Sequence, residues 1–362
     1  MRGRTTEVRR AARALAVGTM LLVASVAAGC GASEGGGSGA ANKEEKEGKG
    51  GKPAELRVGY QLIPNGGPVV KHRKWLETEL GIPVKYVQFD SGANVNRAIA
   101  SGSVDVGLAG SSPVANGVSQ GLPYQVAWIY DVIGDAESLV VKEDAGISSV
   151  ADLAGKKVGV PFGSTTHYSV LKALEMEGVD AGKVDVIDLE PDDIVAAWQR
   201  GDIDGAYVWN PSLAKLEADG GKVLLTSEEL AEKGVLTTDL GIVRTEFAEQ
   251  YPDVVAAWLR QEDRAVKLYQ SDPDAAAKDV AAEFGIPQEE ALAQMKGLIL
   301  LNAQEQLGAE YLGKPGQPGQ LADALSDTAT FLKGAKLVDQ AAPLDKFQEV
   351  VNPEFASKAA TD

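Results

Sequence analysis

Short apolar segments alternate with helix-length amphipathic segments through the middle of the chain, and this alternation restricts the fold more than any other feature. Apolar runs at 56–60, 84–89, 104–108, 124–130 and 139–142 enclose helix-like segments at 69–80, 92–101 and 113–120. The pattern then restarts, with runs at 157–161, 184–189, 203–208 and 223–225 around helix-like segments at 166–177, 192–199 and 211–216. Strands joined by helices through short connections form mainly parallel sheets covered by those helices. Two blocks of this kind predict two α/β sheets, although no internal repeat stands out in the side chains. After an apolar run at 240–244 the chain turns helical, at 247–269, 274–284, 288–300 and 321–332, with a break at Lys314-Pro315-Gly316-Gln317-Pro318-Gly319. This helical tail needs a support, and the first block is the natural one.

The start of the chain is built differently. Arg2, Arg4, Arg9, Arg10 and Arg13 precede an uncharged stretch at 14–29, too short to span a bilayer comfortably and similar to a secretory h-region. It ends in Val26-Ala27-Ala28-Gly29-Cys30, which resembles a bacterial lipobox, where the cysteine is lipidated and becomes the new N-terminus. Cys30 is the only cysteine in the chain. The plainer alternative is an ordinary signal peptide with an incidental cysteine, and Arg9-Arg10 hints at twin-arginine export. Residues 31–52 are rich in Gly, Ser, Ala, Glu and Lys and hold no large apolar side chain, so they are expected to be a flexible tether. The folded body follows from 54 to 362, long enough for two domains.

That body lacks cysteine, so it offers no disulfide framework, thiol nucleophile or Cys-ligated metal. The formal net charge is −17, and losing residues 1–29, with five Arg and one Glu, makes it −21. A surface so acidic argues against nucleic acid as a partner. It also repels anions at long range, so any anion site must be made by local dipoles. Histidine occurs only at His72 and His167. No HExxH, GxxxxGK[ST] or GxGxxG is present, and Asp202-Ile203-Asp204-Gly205 lacks the closing Glu of a calcium loop. No catalytic set, metal site or cofactor is implied.

Two turns carry chemistry. Gly110-Ser111-Ser112-Pro113 follows the third strand, and Gly163-Ser164-Thr165-Thr166-His167-Tyr168 follows the first strand of the second block. Each alone reads as a helix cap. Together they place one helix start, with its unpaired N–H groups and positive dipole end, at the carboxyl edge of each sheet, where ligands of open α/β sheets bind. Tyr207 and Trp209 end a strand at the same edge, where packing is the plainer role. Asp239 and Glu137 stand just before strands, where solvated turn carboxylates are common, but both lie where the chain would cross between lobes.

These turns, with Phe89-Asp90-Ser91-Gly92-Ala93 and the run Ala196-Ala197-Trp198-Gln199-Arg200-Gly201-Asp202-Ile203-Asp204-Gly205-Ala206-Tyr207-Val208-Trp209, closely resemble the taurine-binding proteins of bacterial ABC importers. That family sits in the nitrate, sulfonate and bicarbonate group of solute-binding proteins. The resemblance implies a two-lobed periplasmic-binding-protein fold, a type II clamshell with two crossing hinge strands and a helical C-terminal tail. Lobe 1 would hold 54–140 and 241–362, and lobe 2 would hold 141–240. It implies a sulfonate site from Gln61, Ser111, Ser112, Thr165, Thr166 and His167, and an amine and aromatic wall from Trp209, Asp239 and Glu137, to which the strand-end reading adds Tyr207. It further implies an extracytoplasmic monomer that delivers a small sulfonate to an ABC permease and its ATPase, and the lipobox-like end of the leader adds the expectation that lipid on Cys30 holds it to the membrane. The rival readings are a binder of another alkanesulfonate, small anion or thiamine-precursor pyrimidine, and an enzyme of the same fold class. The desulfinase version of the enzyme needs a thiol that the body lacks.

Overall fold

The two blocks of strands and helices form two separate sheets in the computed structural model, which describes residues 51–361. The leader, Cys30 and nearly all of the tether lie outside the described residues. The first block supplies β1 (Leu56–Tyr60), β2 (Val84–Gln88), β3 (Val106–Gly110) and β4 (Tyr124–Ile133). The second supplies β5 (Glu137–Lys142), β6 (Lys157–Val160), β7 (Asp185–Asp188), β8 (Gly205–Trp209) and β9 (Gly221–Thr226). The chain then returns through β10 (Thr238–Arg244) and, later, β11 (Leu298–Ile299).

One sheet runs β11-β4-β10-β3-β1-β2 and the other β7-β6-β8-β5-β9. Read from their parallel edges, β2-β1-β3-β10-β4 and β7-β6-β8-β5-β9 follow one scheme, a repeat of architecture that the side chains do not reveal. Within each set of five, the antiparallel strand is the one that has just arrived from the other sheet: β10 between β3 and β4, and β5 between β8 and β9, while the short β11 adds a second antiparallel strand at the outer edge of the first sheet. The sheets are therefore mixed, not mainly parallel, because the chain crosses twice and each crossing delivers one strand pointing the other way. The first crossing is tight. A Cβ on Gly134 would sit 2.8 Å from the Gly297 carbonyl oxygen, so only glycine lets the two backbones meet.

The helices of the first block are α1 (Gly66–His72), α2 (Trp75–Leu80), α3 (Gly92–Ala100) and α4 (Ser111–Ser119). The single helix predicted over 69–80 is two, because Lys74 sits in the left-handed region at φ 52° and turns the chain. The second block carries α5 (Thr165–Met176), α6 (Pro191–Arg200), α7 (Ser212–Ala218) and α8 (Ser227–Glu232). The tail holds α9 (Thr245–Gln250), α10 (Pro252–Ser271), α11 (Pro273–Phe284), α12 (Gln288–Met295), α13 (Ala303–Gln306), α14 (Leu321–Gly334), α15 (Leu344–Val350) and α16 (Glu354–Thr361). The predicted helix 247–269 breaks before Pro252, which opens α10 because the first turn tolerates its missing N–H. The predicted helix 288–300 stops at Met295, and the chain turns through Gly297 into β11.

Trp128, Trp258, Tyr124, Phe247 and Phe347 are fully buried at the centre of the larger core, around the first sheet and tail. The second sheet is covered on both faces, with Leu139, Val160 and Leu174 in one cluster and Trp198, Ile194 and Leu216 in the other. Helix α14 touches both bodies: Leu321 and Leu325 join the larger core, while Leu332 joins the second sheet's core and Phe331 meets Tyr168 edge-on at 5.2 Å. The tail thus rests on more than the first block. No described helix is long and apolar enough to cross a membrane.

Candidate binding site

Each sheet presents a helix start at its carboxyl edge. Strand β3 ends at Gly110, which is the cap of α4, so this helix begins two residues before Pro113. Strand β6 ends at Val160, Gly163 takes φ 78°, and Ser164 caps α5 by accepting from the His167 N–H at 3.2 Å. The two starts meet. A Cβ on Gly110 would lie 2.7 Å from Thr165 Cγ2 and 3.5 Å from Asp239 Oδ1.

Between them lies an open cleft of about 430 Å³, the solvent at its mouth included. Gln61, Glu137, Thr165, Trp209 and Asp239, all singled out from sequence, line it. Gly110, Ser164, Asn210, Gly92 and Leu298 join them, and none of the lining residues is Lys or Arg. Gln61 is held by donating to the Leu108 carbonyl at 3.2 Å. Thr165 Oγ1 donates to Glu137 Oε2 at 2.6 Å, linking the α5 start to the first crossing, and Ser227 Oγ donates to Glu137 Oε1 at 3.1 Å.

The other predicted contacts fall elsewhere. Ser111 Oγ accepts from the Thr238 N–H at 3.3 Å and ties α4 to the start of β10. Ser112 is fully buried, and its hydroxyl has no hydrogen-bond partner among the described residues. Thr166 Oγ1 pairs with Ser164 Oγ at 2.7 Å. His167 is a correction. Its ring stacks on Phe162 at 4.3 Å and its Nδ1 accepts from the Gly163 N–H, which turns it away from the cavity. Burial lowers its pKa to about 4, against the pull of Asp188, so it is neutral near pH 7 and brings no positive charge. Tyr207 is a second correction. It shares the strand face of Trp209 but sits one step deeper, fully buried, its hydroxyl paired with Ser227 Oγ at 3.1 Å. It supports Glu137 through Ser227 and does not line the cavity.

Three buried carboxyls gather here. Burial pushes Glu137 up to about 8, even though Thr165 and Ser227 both donate to it. Burial raises Asp239 to about 7, with a hydrogen bond from Asp131 working the other way. Asp131 is raised well above the usual carboxylate range by burial and then by Asp239. Sequence reasoning missed Asp131 because the apolar run was closed at Tyr130, one residue short. A carboxylate continuing such a run was the available signal.

A family described as NMT1/THI5 like matches residues 71–276. The taurine-binding periplasmic protein of Escherichia coli (strain K12) is 42% identical over 284 residues, 77% of this chain and 86% of that one. The chain belongs to the NMT1/THI5-like family. Among solved structures, the alkanesulfonate-binding protein SsuA from Xanthomonas axonopodis pv. citri, bound to MOPS, overlays on this NMT1/THI5-like chain with a TM-score of 0.70. It is 23% identical and covers 82% of this chain and 98% of its own. The desulfurization enzyme DSZB overlays with a TM-score of 0.60 at 18% identity, covering 85% of this chain and 99% of its own. Both show the fold alone: two α/β lobes, each built on one mixed sheet, as in periplasmic solute-binding proteins. No group of His, Cys, Asp and Glu suited to a metal ion occurs among the described residues.

Proposed function

We propose that this chain is the extracytoplasmic solute-binding protein of an ABC importer and that it captures taurine, 2-aminoethanesulfonate, or a closely related small aminosulfonate. One observation carries the reading: two helix starts and two buried carboxyls open on a single cavity with no Lys or Arg in its lining. A plain anion would meet Glu137 and Asp239 unpaired. A plain cation would meet two positive helix ends. A zwitterion satisfies both. The 42% identity to a taurine-binding protein supports the same choice.

A sulfonate stays ionised at physiological pH and offers three acceptor oxygens, so it asks only for donors. The N–H groups at the starts of α4 and α5 are the donors at hand, since Ser112 lies outside the lining and the Thr165 hydroxyl already donates to Glu137. Charge-assisted hydrogen bonds contribute about 1.5–3 kcal/mol each, and a helix end about 0.3–2 kcal/mol. Asp239 and Glu137 take the ammonium group, and Trp209 covers it with about 0.5–2 kcal/mol of cation–π attraction. Micromolar affinity corresponds to about −8.2 kcal/mol, within reach of these contributions after ordering costs.

Closure follows from the division of labour. Lobe 1 (54–140 and 241–362) supplies α4 and Gln61, lobe 2 (141–240) supplies α5 and Trp209, and Asp239 stands at the return crossing beside the boundary. The ligand therefore binds the closed form best and shifts the population toward it. Lipid on Cys30 would keep this monomer beside its permease and ATPase. The absence of cysteine from 31–362 speaks against desulfinase chemistry, which needs a thiol.

Calorimetry tests the reading directly. Taurine should bind the purified chain with micromolar or better affinity and ethanesulfonate at least about tenfold more weakly. Asp239→Asn should weaken taurine by about 10- to 100-fold and leave ethanesulfonate within about threefold. Equal affinities for the two sulfonates in the wild type would sink the aminosulfonate assignment.

A further inference from the structure

Asp131 takes no part in the ligand contacts above, yet it is the most completely buried carboxyl near the site, at 0% exposed. It faces Asp239 across the antiparallel pair of β4 and β10, so the two side chains emerge on the same side. The register slips next to this pair: Asp239 is opposite Asp131, but Leu240 is opposite Ile129, which makes Tyr130 an extra residue in β4. Bulges of this kind re-aim the side chains beside them.

Asn65 fixes one side of Asp131. As the cap of α1, Asn65 uses its Oδ1 to accept from the Gly67 N–H at 3.1 Å, which leaves its amide nitrogen to donate to Asp131 Oδ2 at 3.0 Å. The other oxygen, Oδ1, is buried with no hydrogen-bond partner among the described residues, and the Asp239 carboxyl on the paired strand is near enough to hold Asp131 above the usual carboxylate range. Two carboxyls can bond each other only when one carries a proton, because an ionised carboxylate is an acceptor alone. Asp239 lines the cavity and Asp131 does not. The charged groups acting most strongly on Asp131 are Asp239 of β10 and Glu137 of β5, both acidic. Helix α10 presents Glu262 to Tyr130 and Trp258, not to Asp131.

We propose that Asp131 is a positioning residue that keeps its proton and donates it in a hydrogen bond to Asp239, so that Asp239 is the carboxyl that ionises and receives the ligand's ammonium group. This deepens the aminosulfonate reading and rests on it. Three ionised carboxylates so close together and so deeply buried would repel one another. A retained proton on the deepest removes one charge and adds a donor where the anion of Asp239 needs it. When the ligand arrives, the proton lost to solvent comes from the Asp239 and Glu137 sites, and Asp131 keeps its own.

The test is the pH profile of taurine affinity between about pH 5.5 and 8.5 in the full chain, with ethanesulfonate alongside. Asp131→Asn can accept from Asn65 through its Oδ1 and donate to Asp239 through its Nδ2. It should therefore bind taurine within about threefold of wild type, with the acid limb of the profile unmoved. Asp131→Leu removes the donor, and its acid limb should move up by about one pH unit or more, with ethanesulfonate affinity little changed. A loss of about 30-fold or more in a folded Asp131→Asn would overturn the proposal, because Asp131 would then be the ionised partner. An unmoved limb in Asp131→Leu would reduce the residue to packing.

Carbon-13 NMR of Asp-labelled, ligand-free chain supplies a readout independent of ligand and of the Leu variant's folding. One aspartate carboxyl, absent from Asp131→Asn spectra, should keep its protonated shift through pH 8. Titration of that signal in the acid range would overturn the proposal even if taurine binds as expected. Failure of taurine to outcompete ethanesulfonate would sink only the ligand reading.

Discussion

Glu137 is held in the fold by two hydroxyls and by burial, and these pull in opposite directions. Thr165 and Ser227 donate to its oxygens and favour the ionised form, while removal from water favours the neutral one. Burial prevails, and the folded carboxyl titrates at about 8, against an ordinary value of 4.5. The folded state therefore keeps a proton that the unfolded chain has already lost. Its contribution to stability is fully present below about pH 4.5 and is lost as pH rises through about 8. The ligand-free chain should show a falling Tm from pH 5 to 9, and Glu137→Gln, neutral throughout, should flatten that fall. Saturating taurine should flatten it in the wild type too, since an ammonium beside Glu137 favours the charged form. Scanning calorimetry at fixed ionic strength makes the comparison, and equal slopes for wild type and Glu137→Gln would place the pH sensitivity elsewhere.

At the scale of elements, the site depends on how closely the cap of α4 approaches α5. Gly110 has φ −62° and ψ 160°, a conformation any residue adopts, so its own backbone does not demand glycine. The demand comes from the other lobe, where Thr165 Cγ2 would lie 2.7 Å from an added Cβ. Gly110→Val should thus spare the folding of each lobe and hold the lobes apart. Taurine affinity should fall by about tenfold or more, and the compaction on adding taurine, read by small-angle scattering, should be lost. Unchanged compaction in Gly110→Val would mean that the two helix starts do not approach in the ligand-bound state. Both starts were legible in the sequence, because glycine followed by hydroxyl residues after an apolar run has few other uses. Thr165 came with the second of those starts, and Gln61, Trp209, Glu137 and Asp239 were legible for a related reason, since each stands at or next to a strand end on the edge that faces the cavity. Depth was not legible: period-two alternation puts Tyr207 and Trp209 on one face without saying which is deeper, and His167 follows the ring of Phe162, which no spacing announces. The mixed direction of each sheet was hidden as well. A crossing strand has the same apolar composition as a parallel one, and only the partners of β5 and β10 set its direction.

For the molecule as a whole, charge separates a zwitterionic ligand from an anionic one before either reaches the site. The chain carries a formal net charge of −17, which already counts the two carboxyls of the cavity, and no Lys or Arg in the lining offsets them. An approaching anion is therefore repelled over roughly the Debye length, about 30 Å at 0.01 M salt and about 8 Å at 0.15 M. Taurine has no net charge, so at such distances it feels only the weaker pull on its dipole. The association rate of taurine, followed by the fluorescence of Trp209 in stopped flow, should change by less than about twofold between those salt concentrations. That of ethanesulfonate should rise severalfold, as salt screens the repulsion that slows it. The dissociation rates of both should change little, because the contacts that hold them are buried. This comparison isolates long-range charge from local dipoles, which the equilibrium constant mixes. A taurine association rate that climbs with salt as steeply as that of ethanesulfonate would mean that the ligand reaches the mouth as an anion. The ammonium would then play no part in approach, and the pairing of helix starts with buried carboxyls would act only after entry.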